Sequence, residues 1–261
     1  MSAPRSSAAP GDAQSAADVN RDFYQAASPG QADYWKKMAA PRFRVRTVLS
    51  VLRLRAPASV VDLGCGGGQL LAEVARALPQ AALVGVDLAE ALLARNRAQS
   101  PTVRWVQGNL DAPARWSDED RGRYQAVTAV EVLEHVDQPA QLLANARALL
   151  APGGLLVLTT QSGPLRETER RVGHRRHFTG AELQALLEGA GFQPEKIWNA
   201  GYPFHDLSKW YANLNAEGSM DRFSSKAYGL SENLICLGLR GLFLLNSRRR
   251  GAQLFAVARA S

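Results

Sequence analysis

The stretch Ser59-Val60-Val61-Asp62-Leu63-Gly64-Cys65-Gly66-Gly67-Gly68-Gln69 constrains this chain of 261 residues more than any other. A short β-branched apolar run enters a glycine-rich turn, and the turn opens directly into an amphipathic pattern at Leu70 and Leu71. That order predicts a strand, a tight loop and a helix start in immediate succession. Glycines permit unusual backbone angles and let a ligand approach the main chain without meeting a Cβ. The free N–H groups of the helix start then offer donors to a polar ligand. The stretch predicts a seat for a nucleotide-like molecule.

Spacing narrows the ligand. A dinucleotide fingerprint places a third small residue five positions after its first glycine, and counting from Gly64 that position holds Gln69. The chain has instead Asp62-x-Gly64-x-Gly66-x-Gly68, with a carboxylate inside the strand end. This pattern resembles the first motif of class I S-adenosylmethionine-dependent methyltransferases. The resemblance implies that Asp62 helps hold the methionine end of S-adenosyl-L-methionine, through its ammonium group or a bridging water. Residues 82–87 read as the second strand and end in Asp87, about twenty residues beyond the glycines, where a carboxylate can accept from both hydroxyls of a ribose. The family likeness adds Leu88 beside the adenine. It also points to the block Gly108-Asn109-Leu110-Asp111 after the third strand (103–107). The family commonly has Asp where Asn109 stands, and an amide oxygen can still accept there.

The fourth strand, 124–130, leads into Glu131-Val132-Leu133-Glu134-His135-Val136. This resembles the Glu-His-Val signature of small-molecule methyltransferases, including the ubiquinone-biosynthesis O-methyltransferases. It does not resemble the Pro-Pro motif of enzymes that methylate exocyclic amines of nucleic acids. Glu131 falls at the carboxyl end of its strand, where open α/β sheets bind ligands. A helix is expected over 139–150, a turn at Ala151-Pro152-Gly153-Gly154, and a buried fifth strand over 155–160. Thr179 with Glu182 predicts a capping box opening a helix to Ala190. Strands follow at 192–198 and 253–258.

The alternation predicts an α/β protein with a Rossmann-like, doubly wound, seven-stranded sheet. The expected layout is a disordered tail (1–17), a helical N-terminal cap or lid (18–55) and the methyltransferase domain (56–261). In the cap, Tyr34 and Trp35 precede a helical pattern with Arg42, Arg44 and Arg46 interleaved; the family likeness implies aromatics or an Arg closing the cofactor pocket. An aromatic-rich insert at about 200–250 is expected to face the acceptor. Within it, residues 234–245 are apolar, broken by Arg240 and followed by Arg248, Arg249 and Arg250. That segment reads as a lid helix, with peripheral membrane contact as the alternative.

Two cysteines exclude a disulfide framework and a cysteine-based metal cluster. The net charge of +7 is spread along the chain and reads as a solvated surface, so no nucleic-acid partner is expected. Residues 1–20 lack the apolar core of a signal peptide, and the default expectation is a cytoplasmic protein, monomeric or homodimeric.

All four histidines follow the fourth strand. His135 is the first candidate for a general base or acceptor contact, and His205, in the insert, the second. His174 and His177 lie three apart, but no third donor follows at convincing spacing, so no metal is expected. The resemblance implies methyl transfer to a small molecule, with oxygen favoured over nitrogen or carbon and a secondary metabolite or quinone-like phenol as acceptor. An RNA-modifying enzyme and a non-catalytic partner subunit are the rival readings.

Overall fold

Each run read as a strand forms one, because each carries apolar residues on both sides of a sheet that is covered on both faces. In the computed structural model, which describes residues 34–220 and 227–261, helix α1 (Ala39–Arg55) precedes β1 (Ser59–Leu63) and α2 (Gln69–Ala77). Next come β2 (Ala82–Asp87), α3 (Glu90–Gln99), β3 (Arg104–Gln107) and β4 (Tyr124–Val130). A 3-10 turn at Leu133–His135 leads to α4 (Pro139–Leu149), β5 (Leu150–Gln161), α5 (Glu167–Arg171), α6 (Gly180–Gly189) and β6 (Phe192–Ala200). The insert carries α7 (Phe204–Leu214), α8 (Ala216–Met220) and α9 (Leu230–Phe243), and β7 (Gln253–Ala260) closes the order. The expected tail at 1–17 and the start of the expected cap lie outside the described residues.

The seven strands form one sheet in the order β3-β2-β1-β4-β5-β7-β6. Strands β1 to β5 pair in parallel, and β7 runs antiparallel to β5 and β6. Alternate residues feed two cores. Val60, Leu83, Ala126 and Val157 pack with α1, α2 and α3 on one face, while Val61, Val84, Val127 and Leu156 pack with α4 and α6 on the other. From β1 the chain first builds outward to β2 and β3, then crosses to β4 on the opposite side. This reversal opens a crevice beyond the carboxyl ends of β1 and β4, where doubly wound sheets bind ligands.

Helix α3 has no counterpart in the sequence reading. It buries Leu92, Leu93 and Asn96, but its arginines blur any apolar stripe. Strand β5 starts at Leu150 rather than at 155, because Leu150 pairs with Tyr124 before the register shifts. Gly153, at φ +70°, lets the strand absorb that irregular segment where a turn was expected. The capping box is present: Glu182 N donates to Thr179 Oγ1 at 3.2 Å and Thr179 N donates to Glu182 Oε2 at 2.7 Å.

Helix α9 packs on α1. Arg240 Nε donates to the Lys37 carbonyl at 2.8 Å, and Phe43 lies between Phe243 and Phe255. Its opposite side leaves Leu230, Leu234 and Leu237 exposed. Among the described residues no helix is long and apolar enough to cross a membrane.

Candidate active site

The loop after β1 is shaped by close approach. A Cβ on Gly64 would stand 2.4 Å from Val132 Cγ2, and φ there is +69°, so only glycine lets this loop pack against the one after β4. At Gly66 the reverse holds: no atom lies within 4 Å of where a Cβ would be, and that open space is the crevice. Gly66 N donates to Asp87 Oδ2 at 2.8 Å, and Asn96 Nδ2 donates to the Gly66 carbonyl at 2.8 Å. The loop is thereby fixed to the end of β2 and to α3. Gly68 caps α2 against Trp105 and does not line the crevice.

Parallel register places Thr128 of β4 opposite Asp62 of β1, and Thr128 Oγ1 donates to Asp62 Oδ1 at 2.6 Å. Burial raises the Asp62 pKa to about 7; the Thr128 hydrogen bond opposes this shift and repulsion from Asp87 adds to it. Burial also raises Asp87, against hydrogen bonds that Ala89, Gly66 and Leu88 donate from the backbone. Each Asp87 oxygen keeps acceptor capacity toward the crevice. Leu88, Asn109 and Leu110 line the same wall. Asn109 Oδ1 already accepts from Asp111 N at 3.0 Å, so its contribution to a ligand falls to its second lone pair or its amide N–H groups.

Glu131 follows β4 with φ +57°, an uncommon conformation for a residue with a Cβ. The surrounding groups fix it there. Thr159 Oγ1 and Gln253 Nε2 donate to Oε1 at 2.8 and 2.7 Å, Gln161 Nε2 donates to Oε2, and Arg44 Nη1 lies 3.5 Å from Oε2. Burial works against the charge, but Arg44 and these donors outweigh it and hold the carboxyl below its usual range. Arg44 belongs to α1, and its guanidinium sits 5.8 Å from the Trp35 ring centre. Trp35, Lys36 and Val45 bring the described part of the cap to the crevice wall, whereas Arg42, Arg44 and Arg46 do not line it.

His135 lines the crevice and is 7% exposed. Burial lowers its pKa to about 4, against the attraction of Glu131 and a hydrogen bond to the Gly173 backbone. At neutral pH it is an uncharged imidazole. Behind it lie two further donors, because the Glu134 carboxylate and the His135 and His174 rings place one ligand atom each within 4.8 Å of one another. No third donor follows His174 and His177 in sequence, but the fold brings Glu134 and His135 beside His174. His205 does not reach the crevice. Its ring is 1% exposed, packs on Phe243 and has Nδ1 3.1 Å from Asp206 Oδ1, while Asp206 Oδ1 also accepts from Ala252 N. The expectation of an acceptor contact at His205 is therefore corrected: its ring is packed inside the insert, on Phe243 and beside Asp206. Likewise, no described residue of the insert lines the crevice; the insert supports the cap through α9.

The profile of the family described as "Methyltransferase domain" matches residues 34–197, from the cap to β6. The chain belongs to the methyltransferase-domain family. A probable S-adenosylmethionine-dependent methyltransferase of Mycolicibacterium smegmatis is 35% identical over 52% of this chain and 52% of its own length. A ubiquinone biosynthesis O-methyltransferase of Acinetobacter baumannii is 36% identical over 39% of this chain and 43% of its own. The chain thus spans about half or less of these curated relatives. Among solved structures, the [4+2]-cyclase SpnF superposes with a TM-score of 0.64 at 16% identity, covering 95% of this chain and 97% of that one. That likeness shows the fold alone.

The cofactor of this methyltransferase domain is S-adenosyl-L-methionine. The residues fit it: the bare side of Gly66 leaves room, and the acids at the ends of β1 and β2 face the same space. Among the residues singled out from sequence, Asp62, Gly64, Gly66, Asp87, Leu88, Asn109, Leu110, Glu131 and His135 line one crevice, whereas Gly68 and His205 do not. Sequence reasoning missed Asn96, Thr128, Gln161 and Gln253, which hold the loop and the acids. Each lies far along the chain from its partner, and no local pattern marks such a pairing.

Proposed function

We propose that this protein methylates a hydroxyl oxygen of a small-molecule acceptor, with a phenol or quinone-like secondary metabolite as the preferred class. The observation that carries this reading is His135, an imidazole uncharged at neutral pH that lines the same crevice as Asp62 and Asp87. When bound, the cofactor supplies an electrophilic methyl on a sulfonium. The chain contributes position and exclusion of water. Asp62 and Asp87 fix the two ends of the cofactor, and α1 with Trp35 covers the crevice. His135 accepts a hydrogen bond from the acceptor hydroxyl through an unprotonated ring nitrogen and holds its oxygen in line. The relative named as an O-methyltransferase supports oxygen over nitrogen or carbon. A concave crevice lined from the cap side by Trp35, Lys36 and Val45 supports a small molecule over RNA.

The test is calorimetric titration with S-adenosylhomocysteine, followed by a turnover screen of phenols, catechols and hydroquinones. Micromolar binding with methyl ether formation is the expected result. Binding without any methylated phenol, but with methylated amines, would move the acceptor atom to nitrogen. We further read the exposed leucines of α9 beside Arg248, Arg249 and Arg250 as suited to an anionic bilayer surface that carries lipophilic acceptors. Co-sedimentation with anionic but not zwitterionic vesicles is the expected outcome, and no sedimentation with either removes that contact.

A further inference from the structure

Glu134 is fully buried, and its two carboxylate oxygens are treated differently by the fold. Thr160 Oγ1 donates to Oε2 at 2.7 Å, whereas Oε1 has no hydrogen-bond partner among the described residues. A buried carboxylate oxygen without a donor is costly, and native proteins seldom leave one. The groups beside it are lone-pair donors. Glu134, His135 and His174 each bring one ligand atom to within 4.8 Å of the others, and the His135 and His174 rings lie 4.5 Å apart.

The tautomers of these rings are set from behind. His177 Nδ1 lies 3.0 Å from the Gly163 carbonyl and donates to it, which leaves Nε2 unprotonated. His174 Nδ1, 3.2 Å from that Nε2, must then donate, so His174 keeps its bare lone pair on Nε2. His135 donates through one nitrogen to the Gly173 backbone, which leaves the other bare. A ring that donates rearward to a carbonyl or to a second imidazole and holds its other nitrogen forward has the arrangement of a metal-ligating histidine.

We infer that Glu134, His135 and His174 form a binding site for one divalent transition-metal ion at the acceptor end of the crevice, with His177 as a positioning residue. Two imidazole nitrogens and one carboxylate suit zinc, iron, cobalt or manganese, and disfavour magnesium, which demands oxygen ligands. Donors up to 4.8 Å apart need only a small side-chain contraction to share an ion at about 2.1 Å. The ion matches the unpartnered Glu134 oxygen with positive charge. Three protein ligands leave at least one coordination position open. With the ion bound, the His135 lone pair lies on the metal, so the acceptor oxygen takes the open coordination position in place of the ring nitrogen and is easier to deprotonate there. This last step rests on the methyl-transfer reading above; the metal site itself does not.

The experiment is titration of the full-length protein with Co2+, read by its visible absorption, with S-adenosylhomocysteine calorimetry on the same samples. One Co2+ per chain, displaced by Zn2+ but not by millimolar Mg2+, is expected. Glu134→Gln and His174→Ala should each weaken binding at least 100-fold, and His177→Ala about 10-fold to 100-fold. Each variant should keep its S-adenosylhomocysteine affinity, which certifies the fold. Absence of stoichiometric Co2+ in the wild type overturns the site, and so does unchanged Co2+ affinity in the near-isosteric Glu134→Gln. Equal displacement by Mg2+ overturns the transition-metal assignment. Failure to bind S-adenosylhomocysteine while Co2+ still binds would strike the cofactor placement and leave the metal site standing.

Discussion

Arg44 of the cap stands 3.5 Å from Glu131 at the mouth of β4, and both side chains are 6% exposed. The pair joins the roof of the crevice to its floor. Removing one member of a buried ion pair leaves the other charge uncompensated, at about 3–5 kcal/mol. Arg44→Met should therefore lower unfolding free energy by about 3 kcal/mol and weaken cofactor binding, as measured by urea denaturation and calorimetry. Unchanged stability would mean that the three hydrogen bonds to Glu131 suffice without the arginine.

Two glycines of one loop should fail in different ways. Gly64→Ala drives a Cβ into Val132 and should destabilise the fold by more than about 2 kcal/mol, a clash added to backbone strain. Gly66→Ala meets no protein atom, so it should fold with only the strain of φ +51° yet lose cofactor affinity more than tenfold. Thermal unfolding and S-adenosylhomocysteine titration of both variants separate the two outcomes.

Asp62 should make stability depend on pH. Its folded pKa, about 7, exceeds the unfolded value of 3.8, so between them the native state binds more protons than the unfolded state. Its contribution is fully present below the unfolded pKa and is lost as pH rises through about 7. Asp62→Asn should flatten that decline in urea midpoints between pH 4 and 8. An unaltered slope would show that Asp62 stays ionised.

His135 runs the other way. Its folded pKa, about 4, lies below the unfolded value of 6.5, so stability is present above the unfolded value and lost as pH falls through about 4. In turnover, no inflection near pH 6.5 should arise from this residue. His135→Ala should retain cofactor affinity and lose at least 100-fold in kcat; unimpaired turnover would take His135 out of the mechanism.

Asp87→Ala should weaken S-adenosylhomocysteine binding by about 2 kcal/mol, roughly 30-fold, the value of charged hydrogen bonds to a ribose. Because Asp87 also accepts from Gly66 and Ala89, a parallel loss of loop order is expected in hydrogen exchange of residues 64–68. Full protection of those amides would assign the whole effect to the ligand.

The sequence by itself determined the local features. The strand, glycine loop and helix start at 59–71, the acids ending β1 and β2, and the capping box at Thr179 each depend on neighbours a few residues away, and local sterics decide them. The apolar run at 155–160 likewise marked a strand covered on both faces. Only the tertiary structure decided what meets across long stretches of chain. Thr128 reaches Asp62 through strand register, Arg44 reaches Glu131 through the packing of α1, and His174 reaches Glu134 through the path of the connector after β5. Spacing along the chain carries no record of these meetings, which is why it set His205 at the acceptor and found no donor beside His174 and His177. Both rested on chain position, whereas a site is assembled by the packing that brings distant side chains into one crevice.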